Sequence, residues 1–307
     1  DRVFNAPTNE AWLNPWYDYL TRKGVKYHHG TVVTSIQTKD GRISGITYDK
    51  DGNAGHGGAP GDYYLLAVPV ERAANLMSEE VLALDPSLKN IIKLAPNVEW
   101  MNGIQFYLNT EVNLNRGHSM YTGSNWALTS ISQIQFWPDY DLSRRGNGKV
   151  VSILSVDISD WKANGNFNGK AARDCTKDEI KTEVWEQLKQ ELNFGGAHVL
   201  RDDMVEDYYL DEDIQPTTTG MSKAVTDRLS PAKQDSLGKV IELEPLLVNQ
   251  CNTWGIRPNA HTAIDNLFLA SDYVKTNTDL ATMEGANEAA RRAVNSILLA
   301  EDSDEDY

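Results

Sequence analysis

Residues 266–300 read NLFLASDYVKTNTDLATMEGANEAARRAVNSILLA, and the rest of the chain is organised around them. The stretch opens with a short apolar run, residues 267–270, of the length of a buried strand. A small residue and an acid follow, Ser271 and Asp272, and then a polar loop through Asp279. From about Leu280 the spacing of Met283, Ala286, Ala290, Val294 and Ile297/Leu298 predicts a helix with one apolar face. A strand, an acidic turn and a helix opening on Met283, Glu284, Gly285 and Ala286 make half of a nucleotide site. The reason is that a helix N-terminus offers unpaired N–H groups and a positive dipole end to an anion. A core strand leading into a packed helix, with no ligand, is the plain structural alternative.

Composition narrows the function classes. A chain of 307 residues is long enough to bury a substantial core in one large domain or two joined ones. No apolar run approaches the roughly 20 residues of a membrane span, and residues 1–10 lack the basic and apolar regions of a signal peptide. A net charge of −15 argues against a nucleic-acid partner and against docking on anionic lipid. Two cysteines, Cys175 and Cys251, are too few for a disulfide framework, and a reducing cytoplasm is the expectation. The six histidines show no metal-ligand spacing, so no metal is expected.

Along the chain, Trp12, Leu13, Trp16, Tyr17 and Leu20 fall at helical spacing, with Thr8 as the expected N-cap and Gly24 as the stop. Residues 25–28 and 31–37 read as strand, and Asp40 with Gly41 as a hairpin turn into residues 42–49. The glycine-rich stretch 50–61 fits no phosphate-loop register and reads as a flexible hairpin connection. A strand over 62–68 ends in Pro69, a helix follows, and residues 79–94 form short helices broken at Pro86. Residues 98–108, 127–137, 149–158 and 205–210 are strand-like, and an amphipathic helix over 177–192 backs them with Ile180, Val184, Trp185, Leu188 and Leu192. Trp100, Phe106, Trp126, Phe136 and Trp137 either line an apolar pocket there or form its core. Residues 215–240 are polar and read as a long surface loop or lid, and residues 301–307 as a solvated acidic tail. Arg257 is assigned either a phosphate or substrate group or a surface ion pair.

The 266–300 stretch resembles the C-terminal flavin-binding motif of the FAD-dependent amine-oxidase and phytoene-desaturase superfamily. It is most similar to the bacterial phytoene-desaturase and hydroxysqualene-dehydroxylase-like branch. The resemblance extends through PTNEAWLNPW (7–16), DYYLLAVPVERAANL (62–76) and WMNGIQFYL (100–108), and so touches most of the chain. It implies an α/β (α+β) fold, the C-terminal part of a two-domain FAD-dependent oxidoreductase. Residues 1–69 and 246–300 would belong to the FAD-binding domain, and 70–245 to a mixed-sheet substrate domain. Gly24, Thr31, Val33 and Ile36 match a family strand pattern that lays the Val33 backbone against the adenine; an ordinary buried strand fits the same residues. Ala67 and Pro69 match the crossover between domains.

By the same resemblance, Asp272 hydrogen-bonds the ribityl or pyrophosphate region of FAD. The N–H groups of Thr282 and Met283 face the flavin, where a positive helix end favours the anion formed on hydride transfer. Gly285 and Ala286 let the helix pack closely on the ring. Ser271 stands where the family has glycine. The chain contains no G-x-G-x-x-G, so a second chain or an upstream segment is expected to carry the Rossmann βαβ unit and its fingerprint. The implied function is hydride removal from, or flavin-assisted rearrangement of, an apolar, isoprenoid-like substrate. Amine or amino-acid oxidation is the enzymatic alternative, and a non-catalytic assembly subunit with the flavin-enzyme fold is the other; no catalytic residue is assigned.

Overall fold

The computed structural model describes residues 3–216, 240–303 and 305. The chain forms two compact units, Asp1–Val25 with Trp100–Pro245 and Lys26–Glu99 with Leu246–Tyr307.

In the first unit, a π-turn over Asn9–Leu13 runs into helix α1, Asn14–Arg22. The Pro7 carbonyl, accepting from Glu10 and Ala11 N–H at 2.9 Å each, opens it. Thr8 has helical backbone angles and makes no side-chain cap bond, which corrects its assignment as N-cap. Gly24 ends α1 as expected. At φ +92 it donates to the Thr21 carbonyl at 3.0 Å, and Val25 N–H reaches the Leu20 carbonyl at 3.1 Å, a Schellman closure.

The sheet of this unit is built from β6 (Asn102–Leu108), β7 (Ser119–Met120), β8 (Thr129–Ser132), β9 (Ser152–Ile158) and β10 (Val205–Leu210), in the order β10-β6-β9-β8-β7. Every pairing in it is antiparallel, so the expected mixed sheet is corrected. The long connection from β9 passes through a helix and places β10 on the far side of β6, antiparallel to β6 and so running in the same direction as β9. Along β6 buried and half-buried residues alternate, the signature of a strand with one face in the core. Helix α5, Lys177–Leu192, covers that face with Ile180, Val184, Trp185 and Leu188, all buried. It starts where Thr176 and Glu179 close a capping box. Phe106 and Trp126 lie in this core, and Trp137 and Phe136 in a smaller cluster. The aromatics are therefore packing residues. The expected strand over 127–137 is β8 followed by a 3-10 turn, Ile134–Phe136. Strands β11 (Ile214–Pro216) and β12 (Val240–Glu242) pair at the unit's edge. The expected lid over 215–240 lies mostly outside the described residues.

The second unit holds an antiparallel meander of β1 (Thr31–Lys39), β2 (Arg42–Lys50) and β3 (Asn53–Gly58). Its two turns carry positive φ at both central residues, Asp40 and Gly41 (52° and 80°) and Asp51 and Gly52 (49° and 79°), as type I′ hairpins require. Residues 25–28 form no strand, and the glycine-rich stretch, read as a connection, supplies β3. Close approach explains part of that glycine content. A Cβ on Gly45 would lie 2.5 Å from the Gly58 carbonyl oxygen across the β2–β3 pair. Strand β4 (Tyr64–Leu66) pairs parallel with β14 (Leu267–Leu269). Between these strands in sequence, helices α2 (Val70–Asn75), α3 (Glu79–Leu84) and α4 (Lys89–Leu94) bury Val70, Ala73, Val81, Ile91 and Leu94. Strand β5 (Val98–Glu99) pairs with β13 (Leu246–Leu247). The last helix, α6 (Met283–Ala300), contributes Ala289 and Ala293 to the same core.

Candidate functional site

The site begins at the head of β14. The Asn266 side chain accepts from Ile43 N–H at 3.0 Å and donates to the Ile43 carbonyl at 2.8 Å, which ties β14 to the meander through a buried amide. The parallel ladder continues one residue past β14, with Ala270 N–H on the Leu66 carbonyl at 3.0 Å. Ser271 then turns the chain at φ +130, a region that favours glycine. This is the position at which the family pattern has glycine. Here a residue with a side chain takes that conformation, and Ser271 bears the strain. Its hydroxyl donates to the Asp272 carboxylate at 3.2 Å. Burial holds the half-buried Asp272 carboxyl above its usual range. Tyr273 beside it is fully buried, with a hydroxyl that has no hydrogen-bond partner, and burial pushes its phenol well up.

Arg257 lies under this turn. It is 4% exposed, and its Nη1 donates to the Asp272 carbonyl at 2.6 Å and sits 3.0 Å from the Asp279 carboxylate. Asp279 Oδ1 has no aligned hydrogen bond, so that contact is held by charge. Nη2 donates to the Asn249 side-chain oxygen. Both sequence readings of Arg257, a ligand group and a surface pair, give way to an internal clamp. The loop it grips carries Asp279 at φ +43, with its N–H on Thr276 Oγ1 at 3.0 Å.

Helix α6 starts as the sequence led one to expect, a few residues later. Thr282 is extended, and its hydroxyl accepts from Gly285 N–H at 3.1 Å, so it is the N-cap. The amides of Met283 and Glu284 precede the first acceptor along the helix and point out of its end. A Cβ on Gly285 would lie 2.4 Å from the Leu280 carbonyl oxygen. The chain's own backbone therefore demands this glycine, where the sequence reading gave it to packing on a ring. The buried stripe is Gly285, Ala289 and Ala293. Of the predicted apolar face, Met283, Ala286, Ala290 and Val294 are instead exposed, as is Leu280 ahead of them, and Ile297 and Leu298 are half-buried.

Ser271, Asp272, Thr282, Met283, Ala286 and Val33 all belong to the second unit. Val33 is exposed on β1 beside a register shift between Val33 and Ser35. Sequence reasoning missed Asn266, whose partner is 223 residues away, and Glu288, which accepts from Asn277 N–H at 2.6 Å and Thr278 N–H at 2.9 Å. Neither has a local signal. In the first unit a cavity of about 670 Å³ is lined by Asn125, Asn166, Phe167, Glu186, Lys189 and Gln190, a polar set containing none of the core aromatics.

A strand ending in a positive-φ residue and an acid, followed by an N-capped helix with its first turn open, is an arrangement that can take the polar or anionic part of a ligand. The sequence profile of the flavin containing amine oxidoreductases matches residues 13–298, and the chain belongs to that family. FAD is accordingly its expected cofactor. An oxidoreductase from Methanosarcina mazei has a similar fold, with a TM-score of 0.50 at 13% identity over 95% of this chain and 54% of that one. The chain thus spans about half the length of that structure. No curated protein matches it in sequence.

The residues present fit a flavin dinucleotide. The Asp272 carboxylate accepts from the Ser271 hydroxyl at 3.2 Å and has room to accept from a ligand hydroxyl as well. The free first-turn amides of α6 suit a polar or anionic edge. Exposed Met283 and Ala286 offer a flat apolar contact beside them. No helix among the described residues is long and apolar enough to cross a membrane, and no group of three or more His, Cys, Asp or Glu among them suits a metal ion.

Proposed function

We propose that this chain supplies the C-terminal half of an FAD-dependent oxidoreductase that acts on an apolar, isoprenoid-like small molecule. The observation that carries the reading is the joined set of Ser271 at φ +130, half-buried Asp272 and the N-capped start of α6 with an exposed apolar face. When bound, FAD supplies hydride acceptance. Asp272 orients the ribityl or pyrophosphate region by accepting a hydrogen bond. The Thr282 N–H is spent on the Leu280 carbonyl at 2.8 Å, so of the two amides that the resemblance implies, only that of Met283, with Glu284 beside it, would face the polar edge of the ring, where the helix N-terminus would favour negative charge. Ala286 gives room for the ring, and the Val33 backbone borders the adenine. Leu280, Met283 and Trp254, at 57%, 51% and 48% exposure, favour an apolar substrate surface. Amine or amino-acid oxidation is less favoured, because Arg257 is committed to Asp279, Asn249 and the Asp272 carbonyl.

The reading extends to a partner segment, upstream or on a second chain, that brings the G-x-G-x-x-G fingerprint. Its support is that among the described residues β4 and β14 form a two-stranded parallel pair, extended past β14 only by a single bridge from His261 to Phe268, with Leu65 on β4 46% exposed. Parallel sheets are stable when wider and covered on both faces. The test is a visible absorption spectrum of native material with intact-mass analysis of every chain in it. Flavin bands near 375 and 450 nm, approximate positions for such a cofactor, are expected, together with a polypeptide segment beyond these 307 residues. A colourless, folded sample that takes up no added FAD refutes the reading.

A further inference from the structure

We propose that Glu288 is a positioning residue that locks the Ser271–Asp272 turn in its flavin-binding arrangement, from a distance and without touching the ligand. The proposal rests on the flavin reading above. Glu288 lies one turn and a half into α6, and its carboxylate reaches back over the preceding loop. Oε1 accepts from Asn277 N–H at 2.6 Å, and Oε2 accepts from Thr278 N–H at 2.9 Å and Thr278 Oγ1 at 2.8 Å. Arg292, one turn further along α6, donates to Oε1 from Nε at 3.0 Å and Nη2 at 2.8 Å and so fixes the carboxylate's rotamer. These bonds hold the Glu288 carboxyl down at about 2. It stays ionised, and its grip persists across the range in which proteins are handled.

The clamp propagates through contacts that are each in place. Thr278 precedes Asp279, whose positive φ, 43°, is unfavourable for a residue with a side chain and needs neighbours to hold it. Asp279 is paired with Arg257 at 3.0 Å, its carbonyl accepts from the Asn249 side chain, and Arg257 holds the Asp272 carbonyl at 2.6 Å. One end of the series is thus the body of α6, and the other is the strained turn that carries the proposed flavin acid. Loop 275–281 joins the acid to the helix start, and any slack in it would let Asp272 and the α6 amides move apart. Glu288 removes that slack by satisfying two consecutive loop amides with one rigid carboxylate.

The test compares wild type with Glu288→Gln, which keeps the side chain's size but points an NH2 group at one of the two loop amides. In the protein without flavin, amide exchange is read at Asn277, Thr278 and the 272–274 turn. FAD affinity and the visible band positions are read by titration, and the thermal melt by circular dichroism. Expected are faster exchange at both places, FAD affinity weaker by roughly tenfold, a changed visible band shape, and a melt close to wild type. Glu288→Asp, one methylene too short to reach the loop, should behave like the Gln variant. Faster exchange with unchanged FAD affinity and spectrum overturns the positioning role, leaving a structural cap only. Unchanged exchange at 277–278 overturns the clamp itself. A wild-type protein that binds no FAD overturns the flavin reading, and the positioning role with it.

Discussion

Glu242 is the residue whose titration should be visible in the stability of the whole first unit. It ends β12 at 2% exposure, and one oxygen accepts from Glu244 N–H at 2.8 Å, while the other has no hydrogen-bond partner among the described residues. Burial, with Asp211 and Asp213 nearby, pushes its carboxyl from 4.5 up to about 7. An oxygen without a donor and two carboxylates nearby make a protonated Glu242 suit the site better than an ionised one, against the smaller opposing effect of the Asn102 side chain. A carboxyl whose folded value is raised binds more protons folded than unfolded. Its stabilisation is therefore complete below the unfolded value of 4.5 and is lost as pH rises to about 7. At roughly 1.4 kcal/mol per pH unit, that loss amounts to about 3 kcal/mol. Glu242→Gln, neutral at every pH, should escape it. Urea unfolding of both proteins at a series of pH values isolates the residue, because other titrations cancel in the difference. The variant's advantage over wild type should grow by about 3 kcal/mol between roughly pH 4 and pH 8 and level off above that. A difference that is flat or that shrinks with pH would show that Glu242 is ionised and well partnered, and the argument would fail.

Three further outcomes are expected in the second unit. Ser271→Gly relieves a strained φ worth about 1–3 kcal/mol, against roughly 1 kcal/mol of added backbone entropy and one hydroxyl bond. Chemical denaturation should show equal or slightly higher stability, and a loss beyond about 1 kcal/mol would contradict the strain. Gly285→Ala should destabilise by about 1–3 kcal/mol, although alanine is the better helix former, because the new Cβ meets the Leu280 carbonyl at 2.4 Å; a stabilised variant would show that loop to be free. Arg257→Met should lower stability by about 3 kcal/mol by stranding Asp279 and the Asp272 carbonyl, and Arg257→Lys should recover little, since one ammonium cannot span three acceptors. Full recovery by lysine would place the guanidinium outside the clamp.

Much of this was legible because it is local. The 177–192 helix announces itself by a 3.6-residue apolar stripe, and the structure has it with the same ends. The turn at Asp40 and Gly41 needs positive φ twice, and the residue types say so. What was not legible depends on partners far apart in sequence. The side chain of Asn266 meets Ile43, and Arg257 gathers groups from residues 249, 272 and 279. Glu288 reaches a loop ten residues back, where a helical pattern only marks it as a polar residue. The place of β10 was hidden for the same reason. A helix between two strands suggests a parallel crossover, and β10 does run in the direction of β9, but only the packing decides that it lands beyond β6 instead of beside β9.

Helix α6 shows how a correct pattern can point to the wrong partner. Its large apolar residues recur at helical spacing, and hydropathy takes that stripe for the face turned to this chain's core. The core takes Gly285, Ala289 and Ala293 instead, residues that bury little area but let the helix backbone lie close to its neighbours. Small residues score weakly in any hydropathy count, so the packed face is the quieter of the two. The louder one, Met283, Ala286, Ala290 and Val294, is exposed. A helix that is apolar on two sides is expected to be covered on both. This chain accounts for one side through close backbone packing. At its N-terminal end the other side runs into the open amides and Met283, where the proposed cofactor would lie, and further along it passes Ala290 and Val294, which the proposed partner segment would cover. The same helix is thereby both a core element of its own unit and half of the surface on which the flavin site would be completed.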